Sequence, residues 1–80
     1  MAKQRMKFTF PTELIKEPII YRLCKQFDVI TNIRRADVTE DRGWVVLELE
    51  GEIDEIERSV QWVIDQGVRV DPVAGDIVEG

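Results

Sequence analysis

The chain has 80 residues, enough for one small domain, and its 44% hydrophobic and 34% charged content is typical of a soluble globular fold. The net charge of −5 argues against nucleic-acid binding, and the absence of histidine removes the commonest general base and zinc ligand. Cys24 is the single cysteine, no apolar run is as long as a membrane span, and Met1–Lys7 lacks the apolar stretch of a signal peptide. This composition predicts a cytoplasmic domain without metal, cofactor or membrane insertion.

The first half of the chain predicts a strand, a helix and a second strand. Arg5–Phe10 alternates between apolar and polar residues, as a half-buried strand does. Glu17–Phe27 carries apolar residues at i, i+3, i+4 and i+7, which predicts a helix with Cys24 on its buried face. Asp28–Val38 is rich in β-branched residues, and its alternation changes phase near residues 34 and 35, so it predicts a strand with a β-bulge.

The second half predicts a strand, a helix and a short final strand. Thr39–Gly43 is a charged turn that would join two strands as a hairpin. Gly43–Glu50 alternates most regularly of all the segments, Glu52–Gln66 has an apolar helical stripe, and Val68–Asp71 is a short apolar run. Gly67 suits the position just after the helix, where glycine is favoured.

This order predicts an α+β fold, a ferredoxin-like βαββαβ sandwich with a four-stranded antiparallel sheet and both helices on one face. The domain would span residues 5–71, followed by a flexible acidic tail over 72–80. The predicted core comprises Phe8, Phe10, Leu23, Phe27, Val45, Leu47, Leu49, Ile56, Val60 and Val63. The apolar stripe of the second helix also contains Ile53 and Ile64.

The uncovered face of the predicted sheet has a charged border around two apolar residues, and its side chains are Lys7, Thr9, Asn32, Trp44, Val46 and Arg69. Apolar side chains on such a face favour contact with a partner, so we expect a homodimer with Trp44 or Val46 at the interface. A solvated face with one isolated tryptophan is the alternative. Trp62 lies opposite the stripe of the second helix, where it either packs against the first helix or forms an exposed anchor.

No catalytic motif is present, so we expect a protein that is not an enzyme and has no catalytic residues or metal ligands. The third strand has one aromatic residue and two acids where an RNA-binding strand needs stacking aromatics, and no Cys-x-x-Cys or phosphate loop follows the first strand. Asn32 lies in mid-strand, where it either bonds to local backbone or offers its amide to a ligand. Arg34 or Arg35 could bind a carboxylate nearby.

Several short runs together resemble the NIL domain family, named after an Asn-Ile-Leu motif. The runs are Phe8-Thr9-Phe10, Lys16-Glu17-Pro18-Ile19-Ile20-Tyr21, Phe27-Asp28-Val29, Thr31-Asn32-Ile33, Gly43-Trp44, Leu49-Glu50-Gly51, Trp62-Val63 and Gln66-Gly67-Val68. They cover most of the chain, and Arg34 stands where the motif has leucine.

The resemblance implies a regulatory domain related to amino-acid-sensing ACT domains. The best-understood members lie at the C-terminus of methionine-importer ATPases, where two copies pair and bind methionine; others are fused to ferredoxin modules. By this resemblance the chain is a free-standing member that senses an amino acid as a homodimer, with Asn32, Ile33 and Arg34 as ligand-binding residues. The alternative is an adaptor without a small ligand that binds a protein partner, linked to a ferredoxin or a transporter.

Overall fold

The computed structural model describes residues 1–73 as a four-stranded antiparallel sheet with two helices, in the predicted βαββαβ order. Its elements are β1 (Ala2–Phe10), a 3₁₀ turn (Thr12–Leu14), α1 (Ile19–Gln26), β2 (Ile30–Val38), β3 (Gly43–Gly51), α2 (Ile53–Asp65) and β4 (Arg69–Pro72). The strand order is β2-β3-β1-β4, so β2 and β4 form the two edges. The α+β ferredoxin-like fold is confirmed.

Several helices and strands begin or end at residues other than those predicted from the sequence. β1 begins at Ala2 because that residue pairs with Gly51 at the far end of β3. Pro18 is the N-cap of α1 and does not lie in its first turn, so the helix begins at Ile19. β4 includes Pro72, the first residue of the predicted tail, and residues 74–80 of that tail lie outside the described residues.

The core lies between the sheet and the helices, as predicted, although its membership differs in part. The fully or nearly fully buried apolar residues on this side are Phe8, Ile19, Leu23, Val29, Val45, Leu47, Leu49, Ile56, Val63 and Val68. Phe10, Phe27 and Val60 are partly buried and pack against this cluster. Ile19, Val29 and Val68 were not predicted, because each lies beside the end of an element, where periodicity is weak.

Three residues of the predicted apolar helix stripes are exposed. Ile53 and Ile64 are 47% and 43% exposed, because the buried stripe of α2 is narrow and runs along Ile56, Ser59 and Val63. Cys24 is also exposed, and its Sγ lies 3.4 Å from Thr31 Oγ1 at the margin of the helix layer. The buried stripe on each helix is therefore narrower than the hydrophobic pattern predicted.

The predicted β-bulge is confirmed and sets which side chains share a face. Ile33 pairs with Leu47 and Arg35 pairs with Val46, so Arg34 is the extra residue. Since opposed residues of antiparallel strands point to the same side, the bulge returns Ala36 and Val38 to the side of the sheet that the helices cover. We call this side the helix face.

A hydrogen bond lies near each end of α2. Gly67 has a φ of +105°, the left-handed region that favours glycine, and its N–H donates to Ile64 O at 2.9 Å, which confirms the predicted helix end. At the other end of the helix, Glu55 Oε2 accepts a 2.8 Å hydrogen bond from the backbone N–H of Asp28. That bond, assisted by Arg58 and opposed by desolvation, holds the pKa of Glu55 below its usual value.

Candidate functional site

The side of the sheet away from the helices, which we call the open face, is rich in cations. Its side chains, assigned from the strand register, are Lys3, Arg5, Lys7, Thr9, Ile30, Asn32, Arg35, Asp37, Trp44, Val46, Glu48, Glu50, Arg69 and Asp71. They comprise five basic and four acidic residues, whereas the whole chain has a net charge of −5. The acidic excess of the chain therefore lies elsewhere, and the open face is the more suitable side for a negatively charged group.

Trp44 lies on a central strand near one end of this face, between two cations. Lys7 Nζ is 4.9 Å from the centre of the indole ring, and Arg35 Cζ is 5.9 Å from it. Both distances are within the range of cation–π attraction. The indole therefore holds two positive groups above one half-buried apolar surface.

Val46 differs from its prediction, because it lies on the open face and yet is only 6% exposed. Its cross-strand neighbours are Lys7 on one side and Arg35 on the other, and the aliphatic stems of such long side chains can shield an apolar neighbour from solvent. Strand alternation correctly predicts that Val46 points to the open face, but it does not predict that the side chain is buried there. Of the two predicted interface residues, Trp44 is the more accessible.

The three residues predicted to bind a ligand lie in three different environments. Asn32 is exposed on the open face, opposite Glu48. Ile33 points to the helix face and is 59% exposed, and Arg34 is the exposed extra residue of the bulge. The structure therefore separates Ile33 from Asn32.

The bulge brings Arg35 into the site in place of Arg34. Asn32 and Arg35 pair with Glu48 and Val46, which are successive open-face positions on β3. The side chains of Asn32 and Arg35 are therefore neighbours along β2. Glu48 also lies 3.4 Å from Arg5 Nε, so both signs of charge are present beside the Asn32 amide.

Lys7 was predicted on the uncovered face but was not among the predicted ligand-binding residues. Alternation in β1 places Lys7 on the outer face, but only the pairing of β1 with β3 brings it to Trp44, 37 positions along the chain. Together Lys7, Arg35, Trp44 and Asn32 offer cations, an apolar surface and an amide that both donates and accepts. Among the described residues, no group of three or more His, Cys, Asp or Glu could hold a metal ion.

A second feature, an apolar pocket, lies on the helix face between the sheet and the start of α1. Its volume is about 210 Å³, and its lining includes Phe10, Ile19, Ile20, Tyr21, Val38 and Val45. Val38 and Tyr21 are 58% and 62% exposed, so they lie at the mouth of the pocket. The pocket and the open face are on opposite sides of the sheet.

Trp62 contributes to packing, in agreement with one of its two predicted roles. It is partly buried, and its ring centroid lies 6.1 Å from that of Phe27 in a tilted arrangement that joins α2 to the end of α1. In residues 1–73 neither helix has the length and apolar character needed to cross a membrane.

Comparison with known proteins gives a family and a fold. The sequence profile described as the NIL domain matches residues 4–72. The chain is structurally similar to the C-terminal domain of an ABC transporter ATP-binding protein from Enterococcus faecalis, with a TM-score of 0.78 and 18% identity over 90% of this chain and 84% of that one. At this identity the likeness concerns the fold alone. Comparison with curated proteins finds no match.

Proposed function

The chain belongs to the NIL domain family, and from this premise we propose that it is a non-enzymatic regulatory module that binds a free amino acid, such as methionine, on its open face. The observation that carries the proposal is the position of Asn32, the asparagine of the family motif, beside Arg35 on the face that also holds Trp44 and Lys7. The module would act in the cytoplasm and pass its ligand occupancy to a partner.

The groups on this face match the chemistry of a free amino acid. Its carboxylate needs cationic or N–H donors, which Arg35 and Lys7 would supply. Its ammonium needs acceptors, which the Asn32 amide oxygen and the Glu48 carboxylate would supply. An apolar side chain such as that of methionine would lie against Trp44, and a thioether favours contact with an aromatic ring.

A second copy of the chain would complete this site. A ligand on an open sheet stays half in water, where charged contacts are weak, whereas a second open face placed over it would exclude solvent and strengthen them. The mixture of basic and acidic side chains on the face allows the two copies to be complementary. We therefore propose a homodimer with Trp44 at or near the interface.

An adaptor without a small ligand is the second candidate. It is favoured by the exposed apolar residues of β2, namely Ile30, Ile33 and Val38, which are 57%, 59% and 58% exposed. Such residues at a sheet edge are typical of a surface that contacts another protein. A transporter or a ferredoxin would be the partner in this case.

Calorimetric titration of the protein with methionine and related amino acids tests the ligand. Asn32→Ala should weaken binding by about 1–3 kcal/mol, because it leaves polar groups of the bound ligand without a partner. Ile30→Ala, an exposed neighbour on the same strand and face, is the matched control and should bind as the parent does. Absence of heat at millimolar ligand, or equal binding by Asn32→Ala, would refute the proposal.

Sedimentation tests the homodimer separately. The chain has a mass of 9.3 kDa, so pairing should raise the sedimenting mass towards twice that value as concentration increases. Trp44→Ala should shift this association to higher concentration if the open faces meet. A single 9.3 kDa species at high concentration, with and without amino acid, would contradict the homodimer.

A further inference from the structure

We propose that the edge of β2 is a docking site for an extended segment of a partner protein, one that carries acidic residues and places an apolar side chain in the pocket beside Val38. This surface shares Arg35 with the Trp44 site, but its apolar pocket lies on the opposite side of the sheet. The proposal holds whether or not the open face binds an amino acid.

The two edges of the sheet differ in what they offer to another strand. β4 has only four residues, ends in Pro72, and pairs its own charges through Arg69 and Asp71 at 2.9 Å. Short strands and proline are features that prevent further pairing at an edge. β2 has nine residues, all of them exposed except the half-buried Thr31, and so presents a row of unpaired backbone groups about 30 Å long.

The apolar residues of β2 lead into the pocket. Ile33 and Val38 both point to the helix face and are 59% and 58% exposed. Val38 also lines the pocket, whose mouth it shares with Tyr21. A strand added beside β2 places alternate side chains on this same face, about 5 Å from Val38, where one of them can enter.

The pocket has the size and chemistry of one large apolar side chain. Its volume of about 210 Å³ exceeds the ~150 Å³ of a cavity that binds benzene, so a leucine or phenylalanine side chain fits. Glu17 is the charged residue of the lining, and Arg22 Nη1 already lies 3.1 Å from its carboxylate. The pocket therefore favours an uncharged group.

The charged residues of β2 are Arg34, Arg35 and Asp37, so the strand has a net charge of +1, which favours an acidic partner. Arg34 and Arg35 are adjacent and exposed, and neither forms an ion pair within residues 1–73. A second copy paired antiparallel around the bulge would oppose arginine to arginine, which is unfavourable, whereas an acidic strand would be attracted. Charged residues and a bulge can also serve to protect an edge. Here apolar residues flank them and a pocket opens beside them, which favours docking over protection.

The probe is the peptide acetyl-TLEVELT-amide, whose leucines and valine share one face and whose glutamates share the other. Titration into the ¹⁵N-labelled protein should shift the β2 amides and slow their hydrogen exchange. The peptide acetyl-TLKVKLT-amide should bind at least about tenfold more weakly, because its lysines would face Arg35. Replacing the central valine with proline should also weaken binding, because proline cannot donate to the added ladder.

Matched variants locate the contact. Val38→Ala should weaken binding of the acidic peptide several-fold, while Ile30→Ala, equally exposed but on the open face, should leave it unchanged. Both residues lie at the surface, and circular dichroism will check that each variant folds. Val38→Ala should leave amino-acid binding unchanged, and Asn32→Ala should leave peptide binding unchanged, so failure of one proposal is distinguishable from failure of the other.

Three results would overturn the inference. The first is an absence of shifts in the β2 amides at millimolar peptide. The second is equal affinity for the acidic and basic peptides. The third is self-association through β2 that excludes the peptide, which would make a second copy the occupant of this edge.

Discussion

Replacing Lys7 with methionine should selectively weaken binding of a ligand that carries a carboxylate. Lys7 Nζ lies 4.9 Å from the centre of the Trp44 ring, and the Lys7 stem flanks Val46. Methionine keeps an unbranched apolar side chain of similar length, so Val46 remains covered while the positive charge is lost. The substitution therefore removes the positive charge of Lys7 without removing its packing beside Val46.

The size of the loss depends on whether a second copy covers the open face. A charge-assisted hydrogen bond in a water-excluded site contributes about 1.5–3 kcal/mol, so its loss should weaken binding by about 10- to 150-fold. An ion pair left in water contributes about 0.2–1 kcal/mol, or less than about sixfold. A loss above tenfold at low salt would thus favour a covered, dimeric site.

Calorimetry with methionine and methioninamide provides the assay. Methioninamide keeps the ammonium and the thioether but lacks the carboxylate, so Lys7→Met should have little effect on its binding. The difference between the two ligands measures the coupling between Lys7 and the carboxylate. If Lys7→Met weakened both ligands equally, or neither, the assignment of Lys7 to a carboxylate would be wrong.

Three further predictions concern the fold. Leu47→Ala should lower the free energy of unfolding by about 2–5 kcal/mol in urea, since Leu47 is fully buried on a central strand, and equal stability would refute the assigned phase of β3. Trp62→Ala should cost about 2–3 kcal/mol, and a double-mutant cycle with Phe27→Ala should give a coupling of about 0.5–1.5 kcal/mol; additive effects would contradict their contact. Glu55→Gln should destabilise the protein at neutral pH. Because the folded pKa of Glu55 is lowered, its stabilising contribution is present above the unfolded pKa of about 4.3 and is lost as the pH falls through the folded value, so the variant and the parent should converge in acid.

Much of the fold follows from local sequence patterns. The alternation of β3 predicts which of its side chains face the helices, and Leu47 and Leu49 are indeed fully buried. The phase change in the second predicted strand identifies the bulge at Arg34, and a glycine after an apolar helical stripe identifies the helix end at Gly67. These features are predictable because each depends on residues only a few positions apart.

Tertiary structure alone decides whether a side chain is buried on the face predicted for it. It also decides which residues far apart in the sequence come into contact. Val46 points to the open face but is buried between its cross-strand neighbours Lys7 and Arg35. Cys24 lies on the apolar stripe of α1 but is exposed. Periodicity gives the side from which a side chain projects, while its exposure depends on what the rest of the chain places over it. For the same reason the sequence placed Lys7 on the uncovered face but did not predict its contact with Trp44. Strand register, set by the packing of the whole sheet, brings Lys7 to the indole.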